Sequence, residues 1–420
     1  MTMFALGVDY HFIFVYRDND SHYRYKVFHV NIIFPSYADS LELGQSQNDL
    51  FLFNSNTDLV RTSGVSQRLS TPIASPNFNL DVQLAFKKEF DKGVLNPILV
   101  GAIPFDITQP VKLIAPEWFE RVKPLKSRLS PFIDEDFFHQ VKKYSFFPNH
   151  NDFLAMIKQA LSTFEEGHLK KVVLSKILEL TLDKEVDISH LLANIMAQNP
   201  AAYHFNVPLE NSVLVGASPE LLLRKQGNRI FSNPLAGSAK RLSNKVEDQQ
   251  ASDALLQSSK DQYEHQLVVE AIREALMPLV KNLIIPESPS IISTPTMWHL
   301  STEIEAELPL SDVTSIFDII KNMHPTPAMC GTPTKLAQKN IEKLEPHERG
   351  LFSGLVGWCD AQGNGEWAIA IRCAEVEGNK VKLFAGAGVV PDSIPENEWR
   401  ETCAKMKTML NAFGIKGEFK

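Results

Sequence analysis

The sequence predicts an α+β fold, and three observations lead to that class. The predicted strands occur in consecutive runs, and helices interrupt them without the strict alternation of βαβ units. Hydrophobic residues form 44% and charged residues 22% of the chain, which are ordinary globular values. The sequence shows neither an internal repeat nor a low-complexity tract. Taken alone, the length of 420 residues indicates two or three domains.

The charge balance excludes several function classes. Lys and Arg number 42 against 50 Asp and Glu, so the net charge is −8. No Lys/Arg cluster offers a face for nucleic acid or for an anionic membrane. No run approaches the ~20 apolar residues of a membrane span, and the N-terminus lacks the basic start of a signal peptide. The four cysteines show no C-x-x-C spacing, which favours reduced thiols in a cytoplasmic protein over a zinc site.

The first part of the chain contains few clear elements. The aromatic and β-branched run Tyr10–Tyr16 predicts a strand, and Ser46–Asn79, rich in Ser, Asn and Pro, predicts loops with short strands. The next predicted elements are a helix over Asp81–Asp91 ending near Gly93, a buried strand over Pro97–Ile103, and a helix that Asn151 or Asp152 caps and Gly167 ends.

Strands and helices alternate more densely after Gly167. The predicted strands are Lys171–Ser175, Ala202–Val207, Val213–Lys225, Arg229–Leu235, Ile291–Thr294, Thr302–Ala306, Phe352–Trp358, Glu366–Val376 and Lys380–Val389. The predicted helices are Asp187–Gln198, Val246–Lys281 with a kink or end at Pro278, Val313–Met323, Pro333–Leu344 and Glu396–Phe413. A compact hairpin at Glu377-Gly378-Asn379 joins the last two strands, and Gly414 ends the last helix.

The C-terminal third carries several groups that suit an anionic ligand. Glu398, Glu401 and Lys405 share one helix face, although a solvated surface pair is the commoner meaning of that spacing. Gly386 and Gly388 let backbone amides approach an anion, and a dinucleotide fingerprint is a weaker alternative because Pro stands at position 391. Arg372, predicted in mid-strand, must be paired, either with a carboxylate ligand or with an internal Asp or Glu.

Two further charged residues lie among apolar neighbours. Glu220 follows a turn and precedes three leucines, so its pKa is expected to be raised, as a general acid requires. Lys171 begins a strand of apolar residues, and Lys170 must point the other way because side chains alternate. A turn carboxylate and a strand-end lysine with its head in solvent are the alternatives.

A set of short runs, in this order, resembles the chorismate-utilising enzymes, and most closely the isochorismate synthases of siderophore pathways. The runs are Lys171–Ser175, Gly216–Leu222, Pro234–Ser238, Lys260–His265, Met297–Leu300, His324–Ala328, Gly354–Trp358, Ala370–Ala374, Phe384–Gly388 and Glu398–Thr402. The resemblance begins near Ser46, with residues 46–150 its weaker half and 151–420 the catalytic core. It implies one large α+β domain with a two-sheet core and peripheral helices.

The resemblance also implies roles for individual residues. Lys171 matches the general base that activates water, and Glu220 the general acid that protonates the departing ring hydroxyl. Glu264 and Glu401 match the ligands of Mg²⁺. The other residues that match substrate contacts are Gly237, Ser238, His299, Ala328, Met329, Phe352, Ile371, Arg372, Phe384, Gly386, Gly388 and Lys405. The implied reaction is a reversible conversion of chorismate to isochorismate by a monomer, supplying a catecholate siderophore built on 2,3-dihydroxybenzoate.

Departures from the family pattern separate its branches. Ala236 stands where aminodeoxychorismate synthases carry a nucleophilic lysine, so that covalent route is absent. Phe352 stands where many relatives, salicylate synthases among them, carry tyrosine, which favours release of isochorismate. A salicylate synthase that expels pyruvate remains the alternative within the class. A silent chorismate-binding protein and a dinucleotide-binding oxidoreductase are the alternatives outside it. Residues 1–45 match nothing in the family and are interpreted as an extension.

Overall fold

The structure of the protein, a computed structural model, describes residues 5–6, 9–17, 23–30, 50–124, 138–165, 167–309, 314–415, 417 and 419. The chain forms two compact units, Met1–Gln47 and Asn48–Lys420. In the first unit, an antiparallel sheet has the order β1-β2-β3, and β2 contains the strand predicted at residues 10–16. Its strands are β1 (Ala5–Leu6), β2 (Asp9–Arg17) and β3 (Tyr23–Val30).

The second unit contains the helices and the remaining strands. The helices are α1 (Phe78–Asp91), α2 (His150–Phe164), α3 (Ile188–Gln198), α4 (Lys245–Gln257), α5 (Ser259–Leu276), α6 (Ile316–Met323), α7 (Thr334–Leu344) and α8 (Pro395–Ala412). The strands are β4 (Leu52–Asn54), β5 (Leu59–Ser63), β6 (Gln67–Leu69), β7 (Ile98–Ile103), β8 (Lys112–Ala115), β9 (Trp118–Val122), β10 (Val141–Phe147), β11 (Lys171–Leu182), β12 (Tyr203–Pro208), β13 (Val213–Ser218), β14 (Leu221–Gln226), β15 (Arg229–Asn233), β16 (Leu235–Lys240), β17 (Asn282–Ile284), β18 (Ser290–Ser293), β19 (Met297–Ser301), β20 (Ile304–Glu307), β21 (Gly331–Thr332), β22 (Leu355–Asp360), β23 (Gly365–Ile369), β24 (Cys373–Glu377) and β25 (Lys380–Val389).

Two large antiparallel sheets form the core of this unit, as the α+β prediction requires. The first, sheet I, has the order β10-β11-β25-β24-β13-β12-β4-β5-β9, with β21 also paired to β11. The second, sheet II, has the order β17-β20-β15-β14-β23-β22-β7-β8-β6. A small third sheet has the order β16-β19-β18. One hydrophobic cluster joins Phe205 of sheet I to Val356 and Trp358 of sheet II, so the two large sheets pack face to face.

The chain crosses between the large sheets at two neighbouring points. β13 lies in sheet I and β14 in sheet II, whereas β23 lies in sheet II and β24 in sheet I. The predictions of one strand over Val213–Lys225 and one over Glu366–Val376 were therefore wrong. Arg372 is not in mid-strand but at the second crossover, with φ of 51°. A left-handed non-glycine residue breaks a strand, which periodicity does not reveal.

The crossovers are joined by backbone hydrogen bonds. The Ile369 amide donates to the Glu220 carbonyl at 3.1 Å, and the Ala217 amide donates to the Arg372 carbonyl at 3.1 Å. Gly216 has no room for a side chain, because an added Cβ would lie 2.8 Å from the Arg372 carbonyl oxygen. These contacts hold Glu220 and Arg372 at the seam between the sheets.

Helix ends differ from the predictions where a side chain competes with the periodic pattern. The predicted helix over Val246–Lys281 is two helices, because the backbone of Ser258 is extended rather than helical. Its hydroxyl accepts a hydrogen bond from the Asp261 backbone amide and so caps the start of α5. Asn149, rather than Asn151 or Asp152, caps α2. The start predicted at Val313 lies outside the described residues, and α6 begins at Ile316.

Most other predictions are confirmed within a few residues, but β11 continues to Leu182, well past the predicted end at Ser175, and several strands were missed. The β24–β25 hairpin turns at Gly378, whose φ of 59° suits a tight two-residue turn. The strands that were not predicted are β1, β3, β8, β9, β10, β16, β17, β19 and β21. Of these, β1, β17 and β21 contain only two or three residues, and β10 is largely exposed. Within the described ranges, none of the helices has the length and apolar character needed to cross a bilayer.

Gly101→Ala should destabilise the protein strongly. Gly101 lies in β7 with φ of 139°, and an added Cβ would collide with the Lys112 carbonyl of β8. We expect the free energy of unfolding to fall by roughly 2 kcal/mol or more, measured by urea denaturation. Gly227→Ala is the control, because its φ is also positive at 59° but no atom lies within 4 Å of the added Cβ. Equal losses in the two variants would contradict the role of the collision.

Candidate active site

One pocket at the crossover gathers almost all of the predicted site residues. The lining residues among those predicted are Glu220, Gly237, Ser238, Glu264, His299, Ala328, Met329, Phe352, Ile371, Arg372, Phe384, Gly386, Gly388, Glu401 and Lys405. They come from β25 of sheet I, the small sheet, α5, α8, the loop after α6, the two crossovers between the large sheets and the segment before β22. Lys171 does not line the pocket itself but contacts a residue that does.

Lys171 is fully buried behind the pocket wall. Its Nζ lies 2.9 Å from Glu264 Oε1, and its side chain is 0% exposed. The alternative of a strand-end lysine with its head in solvent is therefore wrong, whereas Lys170 is exposed as the alternation predicted. The Lys171 ammonium and other cations hold the pKa of the Glu264 carboxyl below its usual value, outweighing burial, which raises it.

Gly388 makes room for this ion pair. A Cβ added at Gly388 would collide with Glu264 Oε1 and would lie 3.0 Å from Lys171 Cε. The glycine therefore lets the carboxylate reach β25, rather than forming the turn of a dinucleotide site. Gly386 and Gly388 both lie inside β25, which pairs with β11 along its length, so the dinucleotide alternative is wrong.

Glu220 is the buried acid of the pocket. Burial raises its pKa to about 8, although a hydrogen bond from the Leu235 backbone and the charges of Lys171, Lys405 and Arg372 act in the opposite direction. The side chain is therefore mostly protonated at neutral pH, as the leucines that follow it predicted. A protonated carboxyl in a pocket can donate its proton to a leaving group.

The guanidinium of Arg372 is hydrogen-bonded at Nη2, whereas its Nη1 has no partner among the described residues. Its Nη2 lies 3.3 Å from His299 Nε2, and His299 Nδ1 lies 2.9 Å from Ser238 Oγ. Because a guanidinium only donates, His299 Nε2 must accept, which puts the imidazole proton on Nδ1. Burial and the Arg372 charge lower the pKa of His299 well below its usual value, so the ring is neutral.

The second edge of the guanidinium suits a carboxylate ligand. Among the residues that the structure describes, Arg372 Nη1 is buried and has no hydrogen-bond partner. The guanidinium forms no ion pair with Glu220 or Glu401. From a distance, the charges of these two residues raise its pKa against the lowering effect of burial. The predicted alternative of an internal Asp or Glu partner is therefore not observed in the described part of the chain. An anionic ligand would satisfy the remaining donor.

Helix α8 brings Glu401 and Lys405 to the pocket. The pair is joined at 2.6 Å, and Lys405 Nζ also donates to the Gly386 carbonyl at 2.9 Å. The side chains are 23% and 18% exposed, so this is a pocket pair rather than a solvated surface pair. Glu398, predicted on the same face, is buried and pairs with Lys260 of α5 at 3.0 Å.

The carboxylates around α5 and α8 suit a hard cation in donor type. Burial and the neighbouring Glu401 raise the pKa of Glu398 to about 7. Burial, Glu264 and Glu401 likewise raise the pKa of Asp261. Mutual repulsion of this kind favours a divalent ion, and Mg²⁺ prefers oxygen ligands while keeping positions for water or substrate. Within the described ranges, no group of three or more His, Cys, Asp or Glu side chains is placed to hold a metal ion.

An apolar wall completes the pocket. The rings of Phe352 and Phe384 are stacked, with centroids 5.3 Å apart and planes 15° apart. Ile371, Ala328 and Met329 line the same cavity. Aromatic and aliphatic side chains of this kind offer a favourable contact to an unsaturated ring.

The sequence prediction missed several lining residues. They are Val173, Pro219, Leu235, Ala236, Ser353 and Ala385. Ser353 has a φ of 60°, which only the structure reveals. Among the described residues, it and Arg372, with φ of 51°, are the non-glycine residues of positive φ. Backbone strain of this kind clusters at functional sites.

Comparison with known proteins identifies relatives over most of the chain. The model of the chorismate binding enzyme family matches residues 102–414. Isochorismate synthase EntC of Escherichia coli K12 is 42% identical over 373 residues, covering 87% of this chain and 95% of EntC. Isochorismate synthase DhbC of Bacillus subtilis is 41% identical over 342 residues, covering 79% and 84%. The vibriobactin-specific isochorismate synthase of Vibrio cholerae is 42% identical, covering 76% and 80%.

Solved structures agree with the fold. The Bacillus anthracis protein DhbC, assigned as a 2,3-dihydroxybenzoate-specific isochorismate synthase, superposes with a TM-score of 0.84 at 38% identity, covering 91% of this chain and 100% of that one. The menaquinone-specific isochorismate synthase MenF of Escherichia coli has a TM-score of 0.73 at 23% identity, covering 90% and 92%, and supports the fold alone.

Relative to the wild type, Glu220→Gln should become more stable as pH rises. The folded protein keeps the Glu220 proton up to a pKa of about 8, whereas the unfolded chain loses it near 4.5. Wild-type stability therefore falls with pH between these values, by at most about 1.4 kcal/mol per unit, while the glutamine does not titrate. Urea denaturation at pH 5, 7 and 9 measures the difference. Exposed Glu210→Gln is the control. A difference between Glu220→Gln and wild type that is constant over pH would contradict the buried neutral acid.

Proposed function

The chain belongs to the chorismate-binding enzyme family, and from that premise we propose that it is an isochorismate synthase. The proposed reaction is the reversible, Mg²⁺-dependent conversion of chorismate to isochorismate. The observation that carries the proposal is the pocket at the sheet crossover, where a buried acid and an arginine with a free edge face an apolar wall. The identity to three isochorismate synthases supports the same reaction.

The proposed acid and base are Glu220 and Lys171. Lys171 rests as an ammonium in its ion pair with Glu264, so it must first lose a proton before it can act as a base. The resulting amine takes a proton from water, and the hydroxide so formed adds to one ring carbon. The double bonds shift across the diene, and the hydroxyl on another ring carbon leaves as water after Glu220 donates its proton. One water enters and one leaves, so the free-energy change is small and the step is reversible. The raised pKa of Glu220 supports its role, because the acid must hold its proton until the hydroxyl leaves.

The charges of the pocket support a dianionic substrate. Chorismate carries two carboxylates, and the free edge of Arg372 and the ammonium of Lys405 offer positive groups to them. Ser238 and His299, which also line the pocket, orient the guanidinium through the chain of hydrogen bonds from Ser238 to His299 to Arg372. Buried charge is costly unless it is paired, so a ligand with matching carboxylates gains most from this site.

We propose that Glu264 and Glu401 hold Mg²⁺. When bound, the ion supplies a positive charge that anchors the ring carboxylate of the substrate. Glu264 and Glu401 both line the pocket and offer oxygen ligands, and Gly388 leaves room for the Glu264 carboxylate. Lys171 and Lys405 now hold these two carboxylates in ion pairs, so the ion would take the place of those ammonium groups or share the carboxylates with them. The remaining predicted contacts are proposed to shape the cavity: Gly237, Ala328, Met329, Phe352, Ile371, Phe384 and Gly386.

The downstream use of the product is proposed from the relatives. Two of them are named for 2,3-dihydroxybenzoate or for vibriobactin, which supports supply of a catecholate siderophore. We further propose that residues 46–420 carry the enzyme, with the catalytic core at 151–420, and that residues 1–45 are an extension without a part in catalysis. The family match over residues 102–414 leaves residues 1–45 outside it, and the compact unit Asn48–Lys420 begins close to the proposed boundary at residue 46.

Incubation with chorismate and Mg²⁺ should yield isochorismate, resolved by chromatography. Lys171→Ala should lower kcat by about 10²–10⁴, the usual worth of a general base, while chorismate still binds. Exposed Lys170→Ala is the matched control, because it removes the neighbouring ammonium group. Salicylate with pyruvate as the main products would replace the proposal with a salicylate synthase. A kcat equal to that of the wild type in Lys171→Ala would show that Lys171 is not the general base.

Glu264→Ala and Glu401→Ala should raise the Mg²⁺ concentration for half-maximal activity at least tenfold, because each removes one of two proposed ligands. A titration of the initial rate with Mg²⁺ measures this. Glu396→Ala is the control on the same helix, since Glu396 is half exposed and faces His150 instead. Unchanged Mg²⁺ dependence in both ligand variants would refute the proposed metal site.

A further inference from the structure

A buried lysine lies behind helix α8, outside the pocket. Lys176 of β11 is 0% exposed, and its Nζ lies 3.1 Å from Cys403 Sγ. The same Nζ lies 2.8 Å from the centroid of the Trp399 ring and 4.6 Å from that of Phe146. Phe153 of α2 adds a third ring at 5.5 Å. We call Lys176 with Trp399, Cys403, Phe146 and Phe153 the lysine cage.

The lysine cage is an unusual environment for an ammonium group. Burial lowers the pKa of Lys176 to about 8, and Cys403 is the group that acts against burial, with no carboxylate contributing. Ring faces attract a cation, by about 2 kcal/mol when it is desolvated. An apolar side chain would fill the same space without that desolvation penalty. Packing alone therefore does not explain a lysine at position 176.

The geometry of α8 supplies the reason. At 100° per residue, Trp399 and Cys403 lie on one flank of the helix, about 160° around the axis from the flank that carries Glu401 and Lys405. The pocket flank is attached to β25 through the bond from Lys405 to the Gly386 carbonyl. The cage flank is attached to β11, where Lys176 pairs in register with Ala385, the neighbour of Gly386.

The two attachments together fix the rotation of α8 about its own axis. With side-chain ends about 6 Å from that axis, a 10° rotation would move the Glu401 carboxylate by about 1 Å. A misplacement of that size is enough to cost a large factor in catalysis. A cation centred over the Trp399 ring resists such rotation, because its attraction depends on its position over the ring face.

We propose that Lys176 is a positioning residue that sets the orientation of Glu401 and Lys405 by binding the opposite flank of α8. The inference rests on the proposed function for its kinetic consequence. Lys176 does not touch substrate or metal; it acts through Trp399 and Cys403.

The test compares Lys176→Met, which keeps length and burial but removes the cation, with Lys176→Arg, which keeps it. Three measurements are made: amide hydrogen exchange in residues 395–412, binding of Mn²⁺ followed by electron paramagnetic resonance, and kcat/KM with chorismate. We expect Lys176→Met to speed exchange in α8 at least tenfold, to weaken Mn²⁺ binding at least fivefold and to lower kcat/KM at least tenfold. Lys176→Arg should stay within about threefold of wild type in all three.

Lys382→Met is the matched control, because Lys382 lies on the neighbouring strand β25 with its side chain exposed, and it should match wild type. A lower melting temperature in Lys176→Met with unchanged Mn²⁺ binding and unchanged α8 exchange would overturn the proposal. Should Lys176→Met fail to fold, Trp399→Phe, which weakens the ring attraction, must still weaken Mn²⁺ binding about twofold or more. A wild-type protein that does not convert chorismate would refute the proposed function, while exchange and Mn²⁺ binding would still decide the role of Lys176.

Discussion

The crossing of two strand pairs between the large sheets is the constraint on which the pocket depends. Because β13 passes to β14 and β23 passes to β24 at adjacent points, the chain must turn sharply twice at one seam. Backbone bonds join the two turns, so Glu220 and Arg372 are held by the sheets rather than by mobile loops. A buried acid and a buried guanidinium can keep a fixed geometry only on such a rigid frame, since each is costly to bury without compensation.

Compensation of charge then explains the rest of the arrangement. Lys171 pairs with Glu264, Lys405 with Glu401 and Lys260 with Glu398, whereas among the described residues no cation forms an ion pair with Glu220, and burial raises its pKa to about 8. The same pocket therefore holds a neutral acid beside carboxylates that form ion pairs. Their environments differ in direct ion pairing, and that difference separates the proposed acid from the proposed metal ligands without any change in residue type.

Much of this could be predicted from the sequence, and what could not has a physical reason. The leucines after Glu220 predicted its raised pKa. The alternation of side chains along a strand predicted that Lys171 and Lys170 point to opposite sides. Arg372 was misplaced in mid-strand, because a change of sheet leaves hydrophobic periodicity intact and shows itself only in a positive φ. Ser258 ended a helix that the pattern continued, because a hydroxyl capping an amide is a local event that periodicity does not register.

Helix α8 shows the limit most clearly. Glu401 and Lys405 stand four residues apart, a spacing that most often marks a solvated surface pair. Their position in a pocket follows from what the other sides of the helix contact: Trp399 and Cys403 against Lys176 on one flank, and Thr402, Met406 and Met409 buried between the flanks. A lysine in β11 is separated from these residues by more than two hundred positions, so no local pattern could connect them. The contacts on the far flank of α8 therefore help to determine which of its faces lines the pocket. The residues that support the pocket include those behind the helix.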